Sequence, residues 1–485
     1  MSYHSPCLIL AALCCLAASN PLLNSFDEAT QKDLEYVRGR LRELVPKSGH
    51  EQAVLKTVET SVEGSSSIPD INRAYSDYLY QGDILLTRSE VDEIVSSRPK
   101  RQAINLNYKN NHRWNQEREG VIPFVFDGFD NQERNLIRQA IKFWEDHTCV
   151  RFQENAQART VLWIQHTGQN GSCSSYIGKH VEVARQVVSL GAGCLRFGTI
   201  IHELGHALGL YHEQSRADRD SFVRVRESNL HPNMSYNFEM KSYEKNDNQG
   251  VEYDYGSIMH YSQMVPSFAL NGQLSVMDPI PGNELYSDTM GQNIKPAFLD
   301  LMMVNKLYQC DYMCQRRRSA QCQNGGFVNP KNCNACICPW GFGGPSCGQR
   351  ATGNNASIPC GAILQASPYS QTLEASIGIP AEELKIRHDE CHWFIQAPPG
   401  KRVIIRLDDV LSRGHHMGQF WYPESGCSHN NVELKMKRDV TKTGYRFCQD
   451  DKVKDVPTMI SEGSQAIVSG YATGILRFKI SYYAA

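Results

Sequence analysis

The spacing of apolar and polar residues divides the 485-residue chain into segments of different character. Residues 7–18 form one short apolar run that ends in small residues. This pattern is typical of a signal peptide, here residues 1–19, although Lys and Arg are absent before the run. A buried core helix is the alternative interpretation. No later stretch reaches the roughly 20 apolar residues that a membrane span requires, so we expect no membrane-spanning helix.

Residues 20–101 are mostly polar and contain no cysteine. Within them, the apolar residues of segment 33–45 recur at helical spacing, which predicts an amphipathic helix. The segment closes with the basic cluster RPKR, an arrangement that furin-type proteases cleave, here between Arg101 and Gln102. A charged loop is the alternative, but the change of composition at this point favours a processing site. We therefore predict that residues 20–101 form a removable leader.

The rest of the chain shows three further patterns. Between residues 102 and 311 the strand-like runs GVIPFVFDGF and TVLWIQHT flank the helical run NLIRQAIKFWEDHT, which predicts an α+β domain. Residues 312–348 hold six cysteines among Gly, Asn and Pro, so disulfides must stabilise this segment; a zinc knuckle is the alternative, but histidine is absent. In residues 360–485 β-forming runs alternate with turn residues, which predicts an antiparallel sandwich.

Charge and cysteine content narrow the class of protein. Lys and Arg number 50 and Asp and Glu number 52, which gives a net charge of −2. This balance does not indicate a polyanion-binding surface, so nucleic acid is not an expected partner. Of the 17 cysteines, three fall in the first 15 residues and 14 follow. This even number predicts seven disulfides in an oxidising compartment. Together with the signal peptide, it indicates a secreted, extracellular protein.

The strongest chemical signal is the run TIIHELGHALGLYHEQSR. His202 and His206 are four residues apart, so a helix presents both imidazoles on one face, toward a single ion. Glu203 lies beside the first ligand, where it can reach a metal-bound water. Gly209 can adopt a positive φ, which ends the helix and brings in His212 as a third ligand. Three neutral nitrogen ligands with one open position are typical of catalytic zinc.

The extended motif points to one peptidase family. Ordinary structural histidines are the alternative to a zinc site, but the complete pattern HExxHxxGxxH is the metzincin signature. The chain continues with HEQSRADRD from His212 and with SIMHY up to Tyr261. With these motifs, residues 102–311 resemble the astacin family of metzincins, with Leu210 where the family usually has Phe. The resemblance implies an α+β metzincin fold and a zinc-dependent metalloendopeptidase.

The resemblance also assigns roles to residues. It implies that the three histidines bind one Zn²⁺ and that Glu203 is the general base. Tyr261 is implied as a displaceable zinc ligand that later donates to the oxyanion, and Met259 as an apolar floor beneath the metal. Glu213 is implied as the partner of the amino terminus that cleavage creates. Cyclisation of Gln102 would remove the charge of that terminus, so either burial blocks cyclisation, trimming exposes Ala103, or the pairing is looser here.

Latency is a further implication of the resemblance. Astacin zymogens use an F-x-G-D motif in the propeptide, and its aspartate takes the position on zinc that water later occupies. Residues 80–83 read YQGD. The resemblance therefore implies that Asp83 is a zinc ligand in the zymogen only, with Tyr80 keeping the aromatic ring of the motif. A simple turn is the alternative interpretation of Gly82 and Asp83.

Two accessory modules complete the prediction. Residues 312–348 resemble an EGF-like module and residues 360–485 resemble a CUB domain. Asn430 stands where many CUB domains carry an Asp, which puts calcium binding in doubt. The resemblance implies the disulfides Cys149–Cys310, Cys173–Cys194, Cys314–Cys333, Cys322–Cys336, Cys338–Cys347, Cys360–Cys391 and Cys427–Cys448.

The chain is thus expected to be a multidomain protein: a catalytic α+β domain, a disulfide-rich EGF-like module and an all-β CUB sandwich. We expect a secreted zymogen that a furin-like protease activates and that cleaves cuticle, eggshell or matrix proteins, with the modules binding matrix ligands. The alternative is a catalytically weak protein that binds matrix through its EGF and CUB modules. Glycosylation is predicted at the N-x-S sites Asn170, Asn233 and Asn355.

Overall fold

The computed structural model describes residues 23–45, 67–96, 112–114, 121–243, 246–315, 319–354, 360–378, 387–413, 415–416, 419–420, 425–449 and 452–485. The predicted signal peptide, the cleavage site at Arg101 and Gln102, and the sequon at Asn355 lie outside these residues. Within the described ranges, no helix combines the length and the apolar character needed to cross a membrane.

The part of the leader that the structure describes contains three α-helices and one short strand. They are α1 (Glu28–Leu41), α2 (Ile68–Ile71), β1 (Ile84–Leu85) and α3 (Arg88–Ser96). The Asp27 side chain caps α1 by accepting the Thr30 N–H at 2.8 Å. One face of α1 buries Leu34, Val37 and Leu41, so the predicted amphipathic helix is confirmed. It begins earlier than the sequence pattern indicated.

A six-stranded sheet forms the centre of the next region. Its helices and strands are β2 (Val121–Asp127), α4 (Asn131–His147), β3 (Arg151–Glu154), β4 (Val161–Gln165), β5 (Cys173–Tyr176), β6 (Arg185–Leu190), α5 (Phe197–Ala207), β7 (Val223–Val225), β8 (Met277–Pro279) and α6 (Phe298–Leu307). The strand order is β1-β5-β6-β4-β2-β3, in which only β5 and β6 are antiparallel. The two predicted strands and the predicted helix are confirmed as β2, β4 and α4.

Helix α4 supports the helix that carries the histidine motif. It begins with a capping box in which the Asp130 side chain accepts the Glu133 N–H at 2.9 Å and Glu133 accepts the Asp130 N–H at 2.8 Å. Its apolar stripe is buried, and the Trp144 indole N–H donates to the Ile201 carbonyl of α5 at 3.2 Å. The buried stripe and this hydrogen bond hold α5 in place between the sheet and α4.

The disulfide-rich segment and the sandwich follow. Small two-stranded sheets join β9 (Phe327–Asn329) with β10 (Asn332–Ile337) and β11 (Phe342–Gly343) with β12 (Gln349–Arg350). The remaining strands are β13 (Ile363–Gln365), β14 (Gln371–Ile377), β15 (Asp389–Gln396), β16 (Val403–Arg413), β17 (His415–His416), β18 (Gln419–Phe420), β19 (Asn430–Lys435), β20 (Tyr445–Phe447), β21 (Met459–Ile460), β22 (Gln465–Ala472) and β23 (Ile475–Ala484). Sheets β13-β15-β22-β19-β20 and β14-β23-β16-β21 form the sandwich. It is antiparallel as predicted, except that β13 pairs with β15 in parallel.

Seven disulfides join the described cysteines: Cys149–Cys310, Cys173–Cys194, Cys314–Cys333, Cys322–Cys336, Cys338–Cys347, Cys360–Cys391 and Cys427–Cys448. These are the pairs that the family resemblance implies. The first closes a loop of 161 residues between the end of α4 and the end of α6. By the chain-entropy model, a closure of that length restricts the unfolded chain by about 5 kcal/mol.

The three regions meet at Lys295. Its ammonium lies 2.5 Å from a carboxylate oxygen of Glu390 in β15 and 4.0 Å from the ring centre of Trp340 in the disulfide-rich segment. The Trp340 indole N–H also donates to the Pro296 carbonyl at 3.1 Å. Burial opposes ionisation of Glu390, but Lys295 and His392 hold the pKa of its carboxyl well below the usual range. The Lys295 ammonium therefore links the sandwich and the disulfide-rich segment to the sheet region.

We expect Lys295→Met to lower the free energy of unfolding by about 3 kcal/mol, because it leaves Glu390 largely buried without its contacting cation. Urea unfolding at pH 7 with the disulfides intact measures the change. The control is Lys479→Met, which removes an exposed pair with Glu374 and should change stability by less than about 1 kcal/mol. Equal, small losses in the two variants would contradict the prediction.

Candidate active site

Helix α5 positions the first two predicted ligands. His202 and His206 stand one turn apart, and their Nε2 atoms are 3.0 Å from each other. Gly209 adopts φ +105°, as the sequence predicts, and the chain leaves the helix there. The left-handed turn brings His212 alongside, with its ring centre 4.8 Å from that of His206. All three side chains are buried.

Hydrogen bonds at Nδ1 orient the three rings. His202 Nδ1 lies 2.7 Å from the Ile258 carbonyl and His206 Nδ1 lies 2.8 Å from the Leu210 carbonyl. Because a carbonyl can only accept, these Nδ1 atoms carry the protons and Nε2 keeps its lone pair. His212 differs, since its Nδ1 lies 3.1 Å from the side-chain oxygen of Gln81 in the leader.

Asp83 of the leader completes the group. One carboxylate oxygen lies 3.3 Å from His202 Nε2 and 3.2 Å from His212 Nε2, and the other lies 3.5 Å from His206 Nε2. The four ligand atoms all lie within 4.8 Å of one another. The structure thus brings together all four residues that the sequence resemblance assigns to the zinc of the latent form.

The donor set fits zinc. Three imidazole nitrogens and one carboxylate oxygen are ligands that Zn²⁺ accepts in four-coordinate sites. One Asp83 oxygen and both Glu203 oxygens are buried yet accept no hydrogen bond from any described residue. Buried carboxylates without partners are strongly unfavourable, and a dication among the four donors removes that penalty. Burial lowers the pKa of His212 to about 4, which favours the neutral form that coordinates metal.

Glu203 is placed for proton transfer. It follows His202 on α5 and is fully buried. Burial and the nearby Asp83 carboxylate raise the pKa of Glu203 well above its usual range. A carboxyl group with a raised pKa, beside a metal site and with both oxygens free of protein donors among the described residues, can hold and release a proton.

The segment that ends at Tyr261 forms the floor of the site. Asp300 at the start of α6 accepts the Ser257 hydroxyl at 2.6 Å and the Ile258 N–H at 2.9 Å. Met259 is buried, with its sulfur 3.1 Å from the position of a β-carbon on Gly205 of α5. The packing agrees with an apolar floor, and the Met259 side chain makes no hydrogen bond to any described residue.

Tyr261 is engaged by the leader. Its ring centre is 4.7 Å from that of His212, and its hydroxyl donates to the Gln81 carbonyl. In this state Asp83 faces the three histidines, and the Tyr261 hydroxyl is bonded to the leader loop. Its role as a displaceable ligand and oxyanion donor stays a prediction for the form without the leader.

Several leader contacts were not predicted from the sequence. Gln81 has φ +48° and donates its N–H to the Asn237 side chain at 2.7 Å. The Asn72 side chain donates to the Gly82 carbonyl at 2.8 Å. A β-carbon at Gly82 would lie 3.0 Å from Phe268, so the loop needs glycine there. These asparagines and the glutamine hold the loop that presents Asp83.

Tyr80 shows how the chain accommodates its departure from the family motif. Its hydroxyl lies 3.0 Å from the ammonium of Lys241, and the ammonium lies 4.2 Å from the centre of the same ring. Burial lowers the pKa of Lys241 to about 8. The extra hydroxyl thus receives a polar partner, and the aromatic ring packs near Tyr236 at 6.3 Å.

Two other residues named in the sequence analysis, Glu213 and Asn430, are not part of the group of four residues that face the metal position. One Glu213 oxygen accepts the Arg216 guanidinium at 3.0 Å and the Asp254 N–H at 2.9 Å, and burial raises the pKa of Glu213 to about 8. A cavity of about 120 Å³ borders Glu213; its pairing with a new amino terminus stays a prediction. Asn430 is buried, and its side-chain oxygen accepts the Gly474 N–H at 3.0 Å.

Comparison with known proteins decides the family. Residues 106–309 match the family described as Astacin (Peptidase family M12A). Over 427 residues the chain is 35% identical to zinc metalloproteinase nas-23 of Caenorhabditis elegans, which covers 86% of this chain and 74% of that protein. The chain belongs to the astacin family. This astacin is therefore a zinc-dependent metalloendopeptidase, and the enzyme class and the zinc cofactor predicted from the motifs are confirmed.

Two further proteins are similar to this astacin. Zinc metalloproteinase nas-27 of Caenorhabditis elegans is 33% identical over 420 residues, which covers 84% of this chain and 90% of that protein. Among solved structures, high choriolytic enzyme 1, a hatching enzyme zinc-protease of Oryzias latipes, is 30% identical with a TM-score of 0.38, over 43% of this chain and 99% of that one.

Proposed function

We propose that this astacin is made as a secreted zymogen that hydrolyses extracellular proteins after its leader is removed. The observation that carries the proposal is the position of Asp83, whose carboxylate faces the Nε2 atoms of all three zinc-site histidines at 3.2–3.5 Å. A substrate carbonyl and an attacking water need the space that this carboxylate fills. The leader, residues 20–101, therefore inhibits the catalytic region, residues 102–311, until a furin-like protease cuts after Arg101.

Each side chain of the site then has its own role in peptide hydrolysis. Zinc, when bound, polarises the scissile carbonyl and makes a water acidic. His202, His206 and His212 hold the metal, and Glu203 takes the proton of the attacking water and delivers it to the leaving amine. Tyr261, released from the Gln81 carbonyl, donates to the carbonyl oxygen as negative charge develops there. That contact strengthens in the transition state, so it contributes to kcat.

An extracellular setting and a role in matrix remodelling complete the proposal. Seven disulfides and the predicted signal peptide, residues 1–19, support secretion. We assign residues 312–348 to an EGF-like module and residues 360–485 to a CUB domain that bind matrix ligands and direct the peptidase to cuticle, eggshell or matrix proteins. We also propose glycans at Asn170, which is exposed, and at Asn233 and Asn355.

Activation of the purified, unprocessed chain tests this function. We expect casein hydrolysis only after limited trypsin or furin treatment, complete loss of hydrolysis with 1,10-phenanthroline, and recovery on adding zinc back. Full activity before processing would contradict latency, and activity that resists the chelator would contradict the zinc site. If the processed, zinc-loaded protein cleaves no member of a broad peptide library, a catalytically weak matrix-binding protein becomes the better description.

A further inference from the structure

The C-terminal sandwich reaches into the catalytic region through one loop. This loop joins β19 to β20, and there the Thr443 N–H lies 3.2 Å from both carboxylate oxygens of Asp254. The Thr443 hydroxyl donates to one of these oxygens at 3.1 Å. Both side chains are buried, and a β-carbon at Gly256 would lie only 2.4 Å from the Thr443 side chain. The contact therefore requires glycine at position 256.

Neighbouring bonds hold Thr443 in this place. The Gly444 N–H donates to Glu433 at 3.1 Å, and the Gly444 carbonyl accepts the Thr289 hydroxyl at 3.2 Å. Glu433 is buried and paired with Arg446 at 3.1 Å. Because strands and a buried ion pair fix both sides of the loop, Thr443 presents its two donors in a defined position.

Asp254 begins the segment that supports the zinc-site histidines. Its side chain accepts the Gly256 N–H at 2.9 Å, and its backbone N–H donates to Glu213, the residue after His212, at 2.9 Å. Glu213 in turn donates its N–H to the Met259 carbonyl at 3.0 Å. The segment from residue 254 to residue 261 thus contacts the chain on which the third histidine lies.

The same segment orients the first histidine. The Ile258 carbonyl accepts His202 Nδ1–H at 2.7 Å. Two carboxylates fix the segment: Asp300 from α6, which belongs to the catalytic region, and Asp254. Thr443 supplies two of the three hydrogen-bond donors that the described residues give to the Asp254 carboxylate. A buried carboxylate that loses a donor moves or draws in water, because its unmet acceptor is costly.

We propose that Thr443 is a positioning residue of the peptidase site. By donating to Asp254, the sandwich fixes the segment of residues 254–261, and through it the ring orientation of His202 and the chain beside His212. The C-terminal sandwich is then a structural part of the catalytic centre as well as a candidate ligand-binding module. Partners of ligand side chains tune metal sites, and here one such support comes from a separate region of the chain.

The test compares full-length, processed enzymes that differ at the loop. Thr443→Val keeps the shape of the side chain and removes its hydroxyl, whereas Thr443→Ser keeps the hydroxyl and removes the methyl group. Lys442→Met is the control in the same loop, since it removes ion pairs with Glu252 and Asp439, which are both exposed side chains. Two quantities are measured for each: kcat and KM on a fluorogenic peptide, and the rate of zinc loss to a chelator, which needs no turnover.

We expect Thr443→Val to lower kcat about fivefold, with KM within about twofold of the parent, and to accelerate zinc loss by a similar factor. Thr443→Ser and Lys442→Met should stay close to the parent in both measurements. Parental kcat and zinc loss in Thr443→Val would overturn the proposal, as would an equal defect in Thr443→Ser, which would indicate packing alone.

A folding defect in Thr443→Val does not prevent the test. Asp254→Asn keeps the size of the side chain but turns one acceptor into a donor that opposes the Thr443 N–H, so it should show the same loss of kcat and the same faster zinc loss. Parental values in that variant would overturn the proposal. If even the processed parent cleaves no peptide, the proposed function as a protease of extracellular proteins fails, and the zinc-loss rates still decide the positioning role.

Discussion

Glu203→Gln is expected to keep the fold and one zinc ion while lowering kcat by about 10³-fold. The amide has the shape of the carboxyl group but cannot accept a proton from the attacking water. Both Glu203 oxygens are buried and free of hydrogen bonds from the described residues, so the substitution breaks no structural contact. The large loss should therefore appear in kcat, with the melting temperature near that of the parent.

Metal analysis and steady-state kinetics on the processed enzyme provide the measurement. Glu227→Gln, which makes the same change at an exposed position, is the matched control and should retain parental kcat. A Glu203→Gln enzyme with one zinc ion and kcat within tenfold of the parent would remove Glu203 from the mechanism. Loss of zinc from this variant would instead place Glu203 among the residues that hold the metal.

Local spacing predicted the part of the site that one helix carries. Four-residue spacing places His202 and His206 on one face of α5, and a glycine with positive φ returns the chain to bring in His212. The motif at residues 80–83 identified Asp83. Tyr80 replaces the Phe of that motif, and Lys241 is the polar partner of the added hydroxyl. Residues next to each other on one element leave a periodic signal, which is why sequence finds them.

Contacts between distant segments left no such signal. Gln81 occupies the variable position of its motif, yet its side chain meets His212 131 residues away. Thr443 meets Asp254 across 189 residues. Neither residue belongs to a repeated pattern, and both act through geometry that exists only after the sheet, the leader loop and the sandwich have packed together.

The sandwich illustrates the same division. Alternating β-formers predicted its strands, but not that β13 pairs in parallel with β15, because pairing partners depend on the path of the whole chain. Six cysteines allow 15 pairings, so spacing alone left the disulfides of the small module open. The pairs in the structure are those that the family resemblance implies.

Asp83→Ala is expected to make the unprocessed chain active, with hydrolysis at least about a hundredfold above that of the unprocessed parent. The Asp83 carboxylate is fully buried against three imidazoles. When zinc is bound, this carboxylate is one partner of a buried ion pair. Removing one partner of such a pair costs about 3–5 kcal/mol, and each 1.36 kcal/mol is about a tenfold change in the equilibrium between closed and open leader. Peptide hydrolysis before any protease treatment measures the release.

The control is Asp77→Ala, which removes a carboxylate of the same leader that pairs with Arg38 and Arg42 at the surface. It should leave the chain latent. Gln81→Ala should lie between the two, because it removes the contact with His212 Nδ1 but keeps both Asp83 and the backbone carbonyl that accepts the Tyr261 hydroxyl. Latency that survives Asp83→Ala but not Gln81→Ala would transfer the inhibitory role from the carboxylate to the glutamine, since the two side chains approach the same third histidine from the same loop.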